Sequence, residues 1–488
     1  MFTVFVNSEA RMRELRVKTK LRRQRHFLAS FGLQRFQQSA THQTELLSHQ
    51  ACMGGFSLGC GLGWSAPCVE ILKSDKYAFD IFETDLIAAV FPMGAAFGTL
   101  IVPLLIDRIG RKWTMMTLVP AFIGGWICLI CAGTLVPLFV IGRIITGACG
   151  GMFCVLAPMY SAEISEKQIR GTTGVFFQLL LVIGILYAYC TGFTQDVAAI
   201  SSLCCIAPVV FGVAMAFVPE SPLFYLTKNK EEAARKSMRF FRGPDFDIEP
   251  EIEAFQEQVE ISKQQKFNIS IFMKKPVLKT LGVAYGLMFA QQFSGINAMI
   301  FYGVSILEAT GVGMESLVEL IIFGVVQVVA CVAATLLIDK LGRKLLMVIS
   351  EAVMCVCLSA LAVFFVLKTY QPEKADQMHW LPLTSVCIYI LAFCFGAGPI
   401  PWAYMGEIFP IRLKGAASSS AAFLNWLMAF TITISFHSAV DALGSAVVLS
   451  FFALICALSV FFVIFCMIET KGKTFSEIQE EFGTLTIQ

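Results

Sequence analysis

Six amide side chains stand inside long apolar stretches of this 488-residue chain: Gln178, Gln291, Gln292, Asn297, Gln327 and Asn425. An amide carries two donors and an acceptor oxygen, so several together can hold a neutral solute that itself both donates and accepts. In hydrocarbon an amide is costly unless it is paired or faces water. Taken singly, each is better read as an interhelical hydrogen bond. A second set is ionic. Arg111, Arg170, Arg343, Glu163, Glu220, Glu407 and Glu469 fall at the edges of apolar stretches, and Arg143 falls within one. Nucleophilic and metal chemistry find no support. The five histidines are scattered, and no Ser-His-Asp set has helical backing. Cys128 and Cys131 have CxxC spacing but no second pair, and nearly all of the 17 cysteines lie in apolar blocks as small packing residues. No cofactor, no metal and no enzyme activity are expected.

The elements that must position these groups are helices. The chain is 57% apolar and only 15% charged, with mean hydropathy +0.72, against about 25% charge in soluble domains. Intervals such as 86–106, 197–219 and 442–468 lack Asp, Glu, Lys and Arg, and about 20 apolar residues cross the ~30 Å hydrocarbon layer. The pattern predicts an all-α polytopic membrane protein. Twelve helices are expected near 49–69, 84–105, 114–132, 137–160, 171–191, 197–217, 280–302, 317–338, 345–367, 382–404, 416–436 and 444–467. The turn Ala132-Gly133-Thr134 divides the third from the fourth, and the polar first 48 residues are expected to hold no cleavable signal.

Basic residues orient the spans. The two tails and segments 106–112, 162–170, 218–279, 339–344 and 405–415 hold 32 of the 37. The loops on the other side hold Lys73, Lys76, Lys368 and Lys374. Both tails are therefore expected in the cytoplasm, which leaves the sequon Asn268-Ile269-Ser270 on the wrong side for glycosylation. The basic run from Arg11 to Arg25 has the composition of an organelle presequence, but a solvated tail that reinforces topology needs fewer assumptions. Net charge is +2, which indicates no nucleic-acid partner.

Three motifs occur twice in the same order. Asp107-Arg108-Ile109-Gly110-Arg111-Lys112 returns as Asp339-Lys340-Leu341-Gly342-Arg343-Lys344. Ala162-Glu163-Ile164 with Arg170-Gly171 returns as Gly406-Glu407-Ile408 with Lys414-Gly415, and Pro219-Glu220-Ser221 as Glu469-Thr470-Lys471. The chain reads as a cytoplasmic tail (1–48), a six-helix bundle (49–217), a loop with short amphipathic helices (218–279), a second six-helix bundle (280–467) and a cytoplasmic tail (468–488). Two parallel six-helix repeats are a transporter arrangement.

These motifs resemble the sugar porter family of the major facilitator superfamily. The match rests on Gly142-Arg143, Pro158-Met159-Tyr160-Ser161-Ala162-Glu163, Pro219-Glu220-Ser221-Pro222, Gln291-Gln292-Phe293-Ser294-Gly295-Ile296-Asn297, Gly398-Pro399-Ile400-Pro401-Trp402 and Glu469-Thr470-Lys471-Gly472. The texture is most similar to insect facilitated trehalose transporters and facilitative glucose transporters. Three departures stand out: Leu223 where the family usually has Arg, Ile468 where it has Pro, and Gly59-Cys60-Gly61-Leu62 in the first helix.

The resemblance implies a facilitative carrier of trehalose or a hexose such as glucose, working by alternating access in a plasma membrane. Its partners are the sugar and the bilayer, with no obligate protein partner. It turns the six amides into sugar ligands, and adds Phe393 and Trp402 as flat faces for a pyranose ring. Gln291 and Asn297 would lie about 120° apart on a regular helix, so both reach one cavity only if the helix bends near Gly295. Glycines and prolines from Gly396 to Pro401 should likewise break the tenth helix. The edge arginines and glutamates are expected to form a cytoplasmic latch, with Arg111 and Arg343 drawn to free carbonyls at helix ends. Gly94, Gly98, Gly147 and Gly151 have GxxxG spacing and should let helices touch. Relatives that use a proton have an acid in the first helix, where this chain has Cys60 and Gly61, so uncoupled transport is expected. Glu351 in the ninth helix is the acid that a proton-coupled alternative would use, and is expected to face the cytoplasmic ends of its neighbours or to snorkel. A nontransporting sugar sensor on the same fold is the other alternative.

Overall fold

The computed structural model describes residues 50–165, 170–244, 246–264, 272–302, 306, 316–409, 414–473 and 475–484. The basic tail, the sequon and the Arg170 side chain lie outside the described residues. Every element described is helical. The first half comprises α1 (50–63), α2 (Ser65–Lys73), α3 (Ile81–Ile109), α4 (Arg111–Ile130), α5 (Val136–Ile164), α6 (Arg170–Thr191) and α7 (Val197–Ala216). Three short helices follow in the long loop: α8 (Pro222–Thr227), α9 (Glu231–Arg242) and α10 (Glu249–Gln264). The second half comprises α11 (Lys275–Phe293), α12 (Ile296–Phe301), α13 (Ser316–Leu341), α14 (Arg343–Tyr370), α15 (Pro372–Gln377), α16 (Trp380–Phe395), α17 (Pro399–Ile408), α18 (Lys414–Leu443) and α19 (Ser445–Cys466), and α20 (Phe475–Phe482) ends the chain described. Ten spans are long and apolar enough to cross a membrane among the described residues. The two interrupted segments, α1–α2 and α11–α12, complete the twelve.

Several helices start earlier than their apolar runs. α3 begins at Ile81 rather than near 84 because its acids form a cap. The Asp80 carboxylate accepts from the Glu83 N–H at 2.7 Å while Glu83 accepts from the Asp80 N–H at 3.1 Å, satisfying two otherwise orphaned donors. Asp85, which the expected helix also contained, is buried at 3% exposure. At the other end Gly110, with φ +92°, turns the chain straight into α4, and Gly342, with φ +91°, does the same before α14. Such φ values suit only glycine.

Within the first half, α3 and α5 meet backbone to backbone. A Cβ on Gly147 would come within 2.1 Å of the Phe91 carbonyl oxygen, and one on Gly94 within 2.3 Å of that of Ile144. The GxxxG spacing is structural, as expected. The halves meet across the face opposite the tails. Tyr189 on α6 donates to the Ile300 carbonyl on α12 at 3.2 Å, and His437 on α18 lies 2.5 Å from Asp85 on α3.

Candidate functional site

Helix seven is broken where the sequence placed the bend. α11 ends at Phe293, Gly295 takes φ +88°, and α12 restarts at Ile296. The break turns Asn297 back so that its amide donates to Gln292 Oε1 at 2.5 Å. Gln292 Nε2 donates to Asn425 Oδ1 at 2.8 Å, and Asn425 Nδ2 donates to Gln291 Oε1 at 2.8 Å. Gln291 Nε2 in turn donates to the carbonyls of Ala397 and Gly398 at 2.7 and 2.8 Å. Those carbonyls are free because helix ten is interrupted between α16 and α17. Buried backbone acceptors need partners, and here one amide serves two.

Four of the six amides thus form one buried chain. Gln327 stands outside it on α13, 2% exposed, with Oε1 lacking a partner among the described residues. Gln178 is half-buried on α6. Phe393 is buried just before the helix-ten break, and Trp402 is half-buried just after it. Each link in the amide chain joins a donor to an acceptor, so a hydroxyl can replace either side of a link one for one. An ionised ligand would find no countercharge in that chain.

Arg143 is fully buried. Its Nη1 donates to the Gly61 carbonyl at 2.6 Å, Nη2 to Ser65 Oγ at 2.6 Å and Nε to the Ile87 carbonyl at 3.2 Å. The rings of Phe91 and Trp64 lie 4.4 and 4.9 Å from its guanidinium carbon, distances at which ring faces attract cations. Carbonyls, a hydroxyl and rings stabilise this cation, and together they tie α1, α2 and α3 to α5.

At the tail face the ionic groups divide into two roles. Arg111 Nε pairs with Glu163 at 3.0 Å, and Arg343 Nη2 with Glu407 at 3.3 Å. Both arginines are the first residue of their helix, not the last. The expectation that helix-end carbonyls attract them is therefore corrected. The end nearby is the positive one, and it recruits Glu220 and Glu469 instead. Glu220 accepts from the N–H groups of Arg111 and Lys112 at 3.1 Å, and Glu469 from those of Arg343 and Lys344 at 3.0 Å. Burial pushes the Glu469 carboxyl up, but four backbone donors, from Lys471, Arg343, Lys344 and Thr470, outweigh it and hold it below the usual carboxylate range. Each pair and each cap lies within one half.

Glu351 is fully buried between α14 and α19, beside Cys456, rather than facing the helix ends. Its carboxylate oxygens have no hydrogen-bond partner among the described residues. The Asp85–His437 contact and the capping use of Glu220 and Glu469 escaped the sequence reading. For the caps the sequence shows an acid just after the sixth helix of each repeat, Glu220 and Glu469, but the backbone N–H groups it accepts from carry no signature of their own.

The profile of the family described as Sugar (and other) transporter matches residues 26–482. A facilitated trehalose transporter Tret1-2 homolog of Drosophila simulans is 37% identical over 397 residues, 81% of each chain. The facilitated trehalose transporter Tret1 of Polypedilum vanderplanki is 35% identical over 88% of this chain and 86% of its own. Among solved structures, the major facilitator proton:xylose symporter XylE superposes with TM-score 0.76 over 91% of this chain and 100% of its own, at 22% identity, a likeness of fold. Helix count, repeat and profile agree: the chain belongs to the Sugar (and other) transporter family, a membrane transporter on the twelve-helix major facilitator fold and not an enzyme.

Proposed function

We propose that the chain is a uniporter that carries trehalose or a hexose such as glucose down its gradient by alternating access. The observation that carries this reading is the buried chain of Gln291, Gln292, Asn297 and Asn425, anchored on the free carbonyls of helix ten. It presents both neutral donors and neutral acceptors, which a polyhydroxyl solute needs. Gln178, Gln327, Phe393 and Trp402 complete the proposed cavity. The charge asymmetry supports cytoplasmic tails, and the curated relatives are named for facilitated trehalose transport. Flux of radiolabelled trehalose, glucose, fructose and sorbitol into liposomes holding the purified chain tests the reading. Absence of flux for all four, with binding retained, would point to a sensor.

Transport is expected to ignore a proton gradient. Arg143 is stabilised by carbonyls, a hydroxyl and rings, with no acid in its hydrogen-bonded shell among the described residues, and Glu351 is buried in the interior of the second half with no hydrogen bond to any of the four amides among the described residues. Sugar should equilibrate and not accumulate when a pH step is imposed on the liposomes. Glu351→Gln should leave the rate within about twofold of wild type, since a neutral side chain of the same shape fills the same dry site. Uphill accumulation abolished by Glu351→Gln would establish symport.

The Arg111–Glu163 and Arg343–Glu407 pairs are proposed to hold the cytoplasmic ends of each half in register for closure. Exposed pairs contribute ~0–1 kcal/mol each, and these side chains are mostly shielded, 11% exposed in one pair and 19% and 29% in the other, so the two together should bias the equilibrium by about 1–2 kcal/mol, roughly five- to thirtyfold. Glu163→Gln with Glu407→Gln should populate the inward-open state and slow net flux. The check is the labelling rate of a cysteine probe in the inner cavity, which should rise. An unchanged rate rejects the latch.

A further inference from the structure

We infer that Asp85 and His437 form the clamp that closes the carrier at the face opposite its tails, and that release of their hydrogen bond is what admits solute from that side. Separated by 352 residues, they come from different halves, α3 and α18. The imidazole Nδ1 lies 2.5 Å from the carboxylate, with the side chains only 14% and 4% exposed. A polar bridge between two bodies that part during the cycle cannot stay formed, and in the open state water must solvate both ends. Its strength therefore acts directly on the balance between closed and open forms.

The neighbours show that the bridge is held in place. The Tyr302 ring meets the His437 ring edge-on at 4.4 Å and stacks on Phe436 at 5.4 Å, while its hydroxyl donates to the Thr433 carbonyl at 2.9 Å. These contacts fix His437 from within its own half. On the other side Arg143 grips the Ile87 carbonyl, two residues along from Asp85, and so binds the carboxylate's helix to α1, α2 and α5. Tyr302 lies within electrostatic reach of both Asp85 and Arg143. Around the bridge the seam is tight: Tyr189 donates across it to Ile300, and a Cβ on Gly192 would come within 2.9 Å of Leu317 Cδ1. The pair thus joins two well-braced bodies at the place where they must separate.

This inference rests on the alternating-access reading, and its test needs no sugar, so a mistaken substrate leaves the readout intact. The reporter is a cysteine at Ile300, which is buried beneath the seam at 6% exposure, in a chain whose exposed Cys131, Cys190 and Cys466 are replaced by serine. A membrane-impermeant thiol reagent is applied from the face opposite the tails. Asp85→Leu, which removes both acceptor oxygens at similar size, and His437→Phe, which keeps a ring and removes the donor, should each speed labelling about fivefold or more. The double variant should be no faster than the faster single, because both remove one interaction. Melting temperature should hold, which separates a clamp from a packing defect. Unchanged labelling in Asp85→Leu, or effects that multiply in the double variant, would overturn the clamp. Should Asp85→Leu not reach the membrane, His437→Phe decides on the same criterion.

Discussion

A Gln291→Ala carrier will need roughly tenfold or more sugar to reach half its maximal rate, while its abundance in the membrane stays near normal. Truncation frees the Ala397 and Gly398 carbonyls and one Asn425 donor together. Unmade hydrogen bonds of partly dry groups cost ~1–3 kcal/mol. In the empty carrier water can reach and relax these groups. With sugar bound and water excluded it cannot, so the penalty falls on the complex. Asn297→Ala, which removes a single donor to Gln292, should weaken affinity less. If Gln291, Asn297 and Gln178 can each become alanine with no change in the concentration dependence of flux, the sugar binds elsewhere.

Gly147→Leu will yield no folded carrier. The first side-chain carbon alone would stand 2.1 Å from the Phe91 carbonyl oxygen, less than any real contact, and both partners are helix backbone that cannot swing aside. Forcing α3 and α5 apart would also strip Gly94, Gly98 and Gly151 of their contacts with the facing helix, and small-residue contact is what drives helix association in lipid. Gly124→Leu is the control, since a Cβ there meets nothing within 4 Å. Size-exclusion profiles of the two purified variants should differ completely: aggregate for Gly147→Leu, a single peak for Gly124→Leu. A monodisperse Gly147→Leu protein with wild-type flux would refute the close approach.

How much of this was written in the sequence depends on the range of the interaction. The break at Gly295 was legible because the two amides it reconciles are six residues apart and helical geometry is local. So was the interruption of helix ten, where glycines and prolines cluster. The helix starts were not. Asp80 and Glu83 stand ahead of the apolar run and outside the expected helix, yet together they cap α3 and start it three residues earlier. The role of Glu220 was hidden for a related reason. Its partners are backbone N–H groups, which carry no residue-type signature, whereas the Arg111–Glu163 pairing joins opposite charges that a repeat displays twice. Asp85 and His437 had no signal at all, since nothing local relates positions in opposite halves. The sequence weighs single interhelical hydrogen bonds against solute ligation for each amide, but it does not show that four of them join in one chain.

The bare contact between α3 and α5 has a mechanical result. Side chains are what allow packed helices to slide, and along this seam there are none at the glycine positions, so the two helices must tilt together. α3 is about 43 Å long at 1.5 Å per residue, with Gly94 and Gly98 near its middle and Asp85 and Arg108 toward opposite ends. A strut held at its centre is a lever. If the outer arm swings away from His437 about that pivot, the arm bearing the Gly110 junction swings the other way and carries the Glu220 cap of α4 with it. Access on one side and closure on the other are then two ends of a single rotation, and no signal has to pass through the sugar cavity to keep them in step.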